Sequence, residues 1–327
     1  MAILKDPTID KKGVEVENLL RALPQLADVN FWRGLNPSAA ISNFHFVGQD
    51  VSNQVNAADI DAYTRQLQEE RYFQSPVLLP EALTRTMRQC IEQVEQAGFP
   101  AIFALVYDVF YEGMGYLDSV IKEILGKNYR LIPNFWIYHI DSSEKGKGFE
   151  PHRDTEYTDT IDDNGLPTVL TLWVAVTDAT PLNSCMYVLP ANRDPDYAKA
   201  IHTLDKIPIK LFPLEDIRAI PAKAGSLSCW DQYLMHWGSR SSKYAKEPRI
   251  SYAFYCQRGD IPPVDDAWID LSLPLTFEHR LALVCRGLNK YSRLNLKSSE
   301  HTQPLQAFLE EKQAELVHST EEKVSAP

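Results

Sequence analysis

The sequence predicts an α+β chain in which a mainly antiparallel β core, a sandwich or a barrel, is wrapped by helices. Between residues 129 and 258, short aromatic and β-branched stretches alternate with turn-rich loops such as IDDNGLP and PANRDPD, as antiparallel strands do. Before and after that region the apolar residues recur at helical spacing. Strands and helices are therefore segregated rather than interleaved, as a parallel α/β sheet would require.

From Val14 to Leu26 the apolar spacing is helical, and residues 32–56 are irregular and rich in Asn, Ser and Gly. Ala57 to Tyr72 carries Ile60, Tyr63 and Leu67 with charges between them, the pattern of a surface-packed helix. Pro80-Glu81 opens another helix with Leu83, Met87, Ile91 and Val94 as its buried stripe, and Gly98-Phe99-Pro100 ends it. A further helix runs from about Gly115 to Leu125 and stops at Gly126. Strands follow at 134–140, 168–176, 185–190, 226–230 and 249–256. Helices return at Thr276–Gly287 and at about Leu305–Leu316, and the last ten residues read as a solvated, frayed tail. With no internal repeat or low-complexity linker, the expectation is one domain over 1–327: a helical portion to 128, the β core at 129–258, and a helical portion with its tail from 259.

Side chains alternate across a strand, which sorts these residues by face. In TVLTLWVAV, Leu170, Leu172, Val174 and Val176 form an aliphatic face for the core, leaving Thr171, Trp173 and Ala175 to line a cavity. In RISYAFYC, Arg249, Ser251 and Ala253 point together, opposite Ile250, Tyr252 and Phe254. A guanidinium and a hydroxyl in an otherwise apolar strand require a buried anionic partner.

The bulk properties exclude several classes. A chain of 327 residues has ample material for a core, and 44% hydrophobic with 24% charged residues is ordinary for a soluble protein. A net charge of -11 argues against nucleic-acid partners, which need a basic face. Five scattered cysteines with no CxxC indicate reduced, buried thiols and a cytoplasmic setting. The charged start predicts no secretory signal, and the lack of any long apolar run predicts no membrane span. Oligomeric state is left open.

The chemistry concentrates at His152-Arg153-Asp154. On an extended or turning backbone His152 and Asp154 point the same way, and a distant second histidine, His236, would complete a 2-His-1-carboxylate site with three positions open on Fe(II). HxD alone is a weak signal in a chain with 8 histidines, and a lone histidine is more often structural than a ligand. Context strengthens it: His152 follows a strand and a glycine-containing loop, His236 follows the strand introduced by Ala224-Gly225, and Arg249-Ile250-Ser251 lies on the next.

Together, HRD at 152–154, LTLWVAV at 170–176, PLNSCMYVLPANR at 181–193, AGSLSCWDQYLMHWGS at 224–239 and RIS at 249–251 give residues 129–257 a resemblance to a known family. The region resembles the phytanoyl-CoA dioxygenase family of Fe(II)/2-oxoglutarate-dependent oxygenases. That resemblance implies a double-stranded β-helix (a cupin-like jelly roll) and one oxygenase domain. It implies that His152, Asp154 and His236 hold Fe(II), that 2-oxoglutarate chelates the metal, and that its far carboxylate reaches Arg249 and Ser251. Trp173 and Asn134 are expected to flank the cosubstrate. The implied reaction uses O2, releases succinate and CO2, and hydroxylates an unactivated C–H of a small-molecule substrate. Asp154 stands where related halogenases carry Gly or Ala, which argues for hydroxylation, desaturation or ring chemistry.

Three local departures touch the cosubstrate end: Asn183-Ser184 where Asn-Gly is common, Pro190-Ala191-Asn192-Arg193 where Pro-Gly-Ser-His is common, and Gly238, then Ser239, where a hydroxyl residue often sits two positions after the distal histidine. His139 is expected to be structural, and Trp230 and Trp237 to be wall or core. The acidic loop after HRD, with Glu156, Asp159, Asp162 and Asp163, is either a solvated surface or a selector for a cationic substrate. Two other classes remain open: a zinc-dependent jelly-roll hydrolase, against which Arg249 argues, and a non-catalytic binding or sensor protein of the same fold.

Overall fold

The computed structural model describes residues 7–143, 146–202, 214–291 and 300–324, with side chains from Glu15 to Leu316. Helices α1 (Pro7–Ala22), α2 (Val29–Leu35) and α3 (Ala57–Glu69) come first. Asn56 and Asp59 bond each other's backbone at the start of α3, a capping box that sets where the helix begins. Strand β1 (Tyr72–Val77) and α4 (Glu81–Gln96) follow, then a buried 3-10 turn (Ala101–Val106), α5 (Val109–Gly115) and α6 (Asp118–Leu125). Gly126 ends α6 at φ 89°, a conformation that favours glycine.

Next come β2 (Arg130–Ile140), β3 (Val169–Ala175), β4 (Met186–Leu189), α7 (Tyr197–Ile201) and β5 (Arg218–Ile220). Strands β6 (Ser226–Asp231), β7 (Met235–Gly238) and β8 (Arg249–Gln257) complete the β region. Helices α8 (Phe277–Lys290) and α9 (Gln303–Val324) end the described chain.

All strand pairings are antiparallel. The larger sheet runs β1-β6-β3-β8-β2 and the smaller β5-β4-β7. Face parity decides what each side of the larger sheet meets. Leu170, Leu172, Val174, Ile250, Tyr252 and Phe254 join the main core, packed with α4, α8 and the buried 3-10 turn. Each such apolar side chain contributes about 1.5–3 kcal/mol when fully buried. On the opposite face, Trp173, Ala175, Trp230 and Ala253 cluster with Met186, Val188 and Ile220 of the smaller sheet. The functional cavity opens between these two sheets.

The five expected strands are present with shifted ends, and helices and strands are segregated except for β1 among the first helices and α7 among the strands. Three strands fall outside the expectation. β1 replaces the end of the helix expected to reach Tyr72, and β5 and β7 are only 3 and 4 residues long. The irregular segment expected from residue 32 begins inside α2. The helix expected from about Gly115 to Leu125 is α6, which starts three residues later at Asp118, and a further helix, α5, precedes it. The expected frayed tail is also corrected: backbone from 318 to Val324 continues α9, and 325–327 lie outside the described residues. No helix among the described residues is long and apolar enough to cross a membrane. All five cysteines are buried and free.

Candidate active site

Two ligating positions far apart in sequence meet because their backbones pair. His152 N donates to His236 O and His236 N to His152 O, both at 3.0 Å. Directly opposed residues of an antiparallel bridge put their side chains on the same face, and the two rings lie 4.3 Å apart by centroid. Asp154 completes the group: its Oδ1 is 3.8 Å from His152 Nε2 and 3.6 Å from His236 Nε2. Among the described residues this is the only cluster of three or more such donors, all within 4.8 Å of one another.

Hydrogen bonds around the three select which atoms are free. His152 Nδ1 donates to Glu150 O at 2.7 Å and His236 Nδ1 donates to Leu234 O at 3.0 Å. With Nδ1 carrying the proton, each Nε2 presents a lone pair. Burial pushes the His236 imidazole below its ordinary pKa, against the pull of Asp154, so the ring is neutral near pH 7. Asp154 Oδ2 accepts from Thr171 Oγ1 at 2.7 Å and from Trp230 Nε1 at 3.1 Å. That leaves Oδ1 turned to the histidines. Gln232 Nε2 in turn donates to Thr171 Oγ1 at 3.2 Å. Two imidazole lone pairs and one carboxylate oxygen on a common point suit a divalent transition metal, and this donor set suits non-heme iron(II).

The second half of the site is a buried cation. Arg249 is 1% exposed, with its guanidinium between the rings of Trp173 (5.6 Å) and Tyr138 (5.9 Å) and one nitrogen 3.2 Å from Met186 Sδ. Its Nε has no partner, and no carboxylate among the described residues pairs with it. Burial lowers its pKa to about 10, which still leaves it charged at neutral pH. An unpaired buried cation is costly unless a ligand supplies the anion, and its planar fork matches a carboxylate.

These groups line one cavity of about 440 Å³. Of the residues expected at the cosubstrate, Arg249, Trp173 and Asn134 face it. Ser251 is on the same face of β8, fully buried with its hydroxyl unpartnered, but it does not line the cavity; its strand partners are Tyr138 and Ala175. Asn134 sits four residues along β2 from Tyr138, about 13 Å at strand rise. There it donates to Glu156 Oε2 at 2.5 Å and accepts from Tyr291 at 2.9 Å.

His139 turns the other way and pairs with Glu95 of α4. Trp230 is wall, bonded to Asp154, while Trp237 stacks on Tyr187. The acidic loop divides: Asp162 pairs with Arg258, Asp159 and Asp163 are exposed, and only Glu156 faces the cavity. Sequence reasoning did not assign Thr171 and Trp230 to Asp154 and did not find Tyr291. Thr171 carried a usable signal, the face parity of β3, whereas Tyr291 arrives from α8 with none.

Two of the departures from the family pattern have local causes. Ser184 adopts φ 73°, the left-handed region where glycine is the easy choice, and its hydroxyl donates to Ser239 O at 2.5 Å. Gly238 lies against Gly148: a Cβ on Gly148 would meet the Gly238 backbone at 2.6–2.8 Å. That contact holds the loop leading to His152 against β7.

Among solved structures, the non-heme monooxygenase ThoJ in its apo form is 15% identical, with a TM-score of 0.52 over 75% of this chain and 99% of that one. The non-heme α-ketoglutarate-dependent carbocyclase SnoK from nogalamycin biosynthesis is also 15% identical, with a TM-score of 0.50 over 69% of this chain and 98% of that one. At such identities the likeness is one of fold, the double-stranded β-helix. No curated protein matches in sequence. The family model for phytanoyl-CoA dioxygenase (PhyH) matches residues 51–246. It reaches further into the N-terminal helices than the motifs do and stops short of Arg249. With more than half its length matched, the chain belongs to the phytanoyl-CoA dioxygenase family and is an iron- and 2-oxoglutarate-dependent oxygenase.

Proposed function

We propose that the enzyme hydroxylates an unactivated C–H bond of a small molecule, with His152, Asp154 and His236 as the iron ligands and Arg249 as the anchor for 2-oxoglutarate. One juxtaposition carries this reading: three converging donor atoms beside a buried guanidinium that has no anionic partner. Iron(II) bound there would supply oxygen activation coupled to decarboxylation of the cosubstrate, with release of succinate and carbon dioxide. The protein's share is orientation. Arg249, packed against the rings of Trp173 and Tyr138, receives the far carboxylate, with Ser251 on the same face of β8. Thr171 and Trp230 hold Asp154 Oδ2, so that only Oδ1 faces the metal. The aromatic wall keeps water from the reacting carbon.

Asp154 occupies the position whose loss opens room for halide, which supports hydroxylation within this chemistry. A reducing, cytoplasmic setting fits the five free cysteines. We read the chain as one domain because residues from both helical ends share the main core with the larger sheet. The test is oxygen-dependent release of labelled carbon dioxide from 1-labelled 2-oxoglutarate by the Fe(II)-loaded chain. Release by the wild type and none by Asp154→Ala supports the reading; equal release by both contradicts it.

A further inference from the structure

The cavity has two chemically different ends. Register places Ile140 opposite Arg249, Tyr138 opposite Ser251 and Trp136 opposite Ala253, so Arg249 lies at the end of β2 and Asn134 near its middle. Asp154 is held over β3 and β6 by Thr171 and Trp230, whereas Glu156 is held over β2 by Asn134. In the larger sheet β8 separates β3 from β2. The two carboxylates, two residues apart in the chain, therefore face the cavity over different strands.

Glu156 is built into its place. Its Oε2 accepts from Asn134 Nδ2 at 2.5 Å and from Lys290 Nζ at 2.7 Å. Lys290 and Tyr291 come from the end of α8, and the Tyr291 hydroxyl steadies Asn134 at 2.9 Å. Both bonds fall on Oε2, so Oε1 accepts none among the described residues and is the open acceptor on this side of the cavity. Around it the wall is aromatic: Trp136 and Tyr291 meet edge to face at 4.9 Å, and Tyr255 lies alongside.

Charge accounting then narrows the ligand. Lys290 already neutralises Glu156. Arg153 is held by Asp194 at 2.6 Å and by the Tyr233 carbonyl. Among the described lining residues, Arg249 is the one cation without a carboxylate, and the cosubstrate takes it. Among the described lining residues an anionic substrate therefore finds no free counter-ion and no basic cluster for phosphates. An ammonium would meet an acid already paired, at the cost of its own desolvation.

We propose that Glu156 Oε1 anchors the substrate, and that the substrate is an uncharged, mainly apolar ring compound presenting a hydroxyl or N–H. This rests on the oxygenase reading above.

The test uses the full chain loaded anaerobically with Fe(II) and 2-oxoglutarate, and four probes of one body: indane, 2-indanol, 2-aminoindane and indane-2-carboxylate. Affinities are measured calorimetrically for wild type, Glu156→Leu and Glu156→Gln, after 2-oxoglutarate binding has been measured in the same samples. Wild type is expected to bind 2-indanol at least about tenfold tighter than the other three, the worth of one hydrogen bond to a charged acceptor. Glu156→Leu should lose that preference while indane changes less than about threefold. Glu156→Gln, which keeps a carbonyl acceptor without its charge, should retain only part of it. With 2-oxoglutarate bound normally, the absence of any 2-indanol preference in wild type, a best-binding amine or carboxylate, or an unchanged preference in Glu156→Leu each overturns the role of Glu156. Failure of wild type to bind 2-oxoglutarate overturns the oxygenase site and this inference with it.

Discussion

Replacing Thr171 by Val removes one oxygen and nothing else of consequence, yet it should cost the enzyme most of its hold on iron. The Thr171 hydroxyl donates to Asp154 Oδ2 at 2.7 Å and accepts from Gln232 Nε2 at 3.2 Å. Without it Asp154 Oδ2 keeps only the longer Trp230 bond at 3.1 Å, and the carboxylate gains freedom to rotate Oδ1 away from the histidines. Gln232, fully buried and already lacking a partner for Oε1, loses its donor contact as well. A hydrogen bond to a charged group is worth about 1.5–3 kcal/mol, and at about 1.4 kcal/mol per tenfold that is a loss of roughly 10- to 150-fold. Changes to groups that orient metal ligands fall in the same range, about 10- to 100-fold. Anaerobic Fe(II) titration should therefore show Thr171→Val binding iron about 10- to 100-fold more weakly, with Thr171→Ser near wild type because the hydroxyl remains. Unchanged iron affinity in Thr171→Val would refute the claim that this bond orients the carboxylate.

Arg249→Met should raise the Kd for 2-oxoglutarate by 2–5 kcal/mol, about 30- to several-thousand-fold. In the ligand-free protein the same change should leave the melting temperature level or higher, because an unpaired buried cation has been removed; marked destabilisation of the ligand-free variant would count against an unpaired Arg249. Gly148→Ala drives a Cβ against the Gly238 backbone at 2.6–2.8 Å, so it should cost about 1–3 kcal/mol of stability and weaken iron binding through His152; chemical denaturation and Fe(II) titration check both. Ser184→Gly relieves φ 73° but loses the bond to Ser239 O; costs of about 1 kcal/mol on each side should nearly cancel in denaturant unfolding.

Asp108 concerns the scaffold and carries a pH dependence. Burial raises its pKa, but hydrogen bonds from Ser42 and the Arg280 guanidinium outweigh this and hold the carboxyl below its ordinary 3.8. Arg280 is fully buried and also donates to the carbonyls of Val106, Ser42 and Leu275. Asp108→Asn leaves that cation without its anion, at about 3–5 kcal/mol. A depressed carboxyl stabilises fully above its unfolded value and loses that contribution as pH falls through the folded one. The gap between wild type and Asp108→Asn should thus be constant near neutrality and shrink only below pH 3.8; a gap that widens on acidification would reverse the sign.

What the sequence disclosed and what it withheld follow from range. Strand parity is a local rule, so the faces of β3 and β8 were readable, and with them the placing of Thr171, Trp173 and Arg249 at the cavity and of Leu172 and Phe254 in the core. That His152, Asp154 and His236 come together was readable because HRD and the distant His236 sit in recognisable surroundings. β5 and β7 are too short to show a period, and β1 contains Pro76 and two polar residues, so pairing with β6 determines it, not propensity. Glu156 was visible only as one member of an acidic loop. That it faces inward depends on Asn134 from β2 and Lys290 from α8, partners far away in the chain. Ser251 shows the limit of parity: the correct face is not always the exposed surface of that face.

The central claim is that His152, Asp154 and His236 hold iron beside an arginine that binds 2-oxoglutarate. It is tested most directly by visible absorption of the protein titrated anaerobically with Fe(II) and then 2-oxoglutarate. The account predicts a metal-to-ligand charge-transfer band in wild type that is absent in Asp154→Ala and His236→Ala, and that needs far more 2-oxoglutarate in Arg249→Met. No band in wild type, or an undiminished band in either ligand variant, would contradict it.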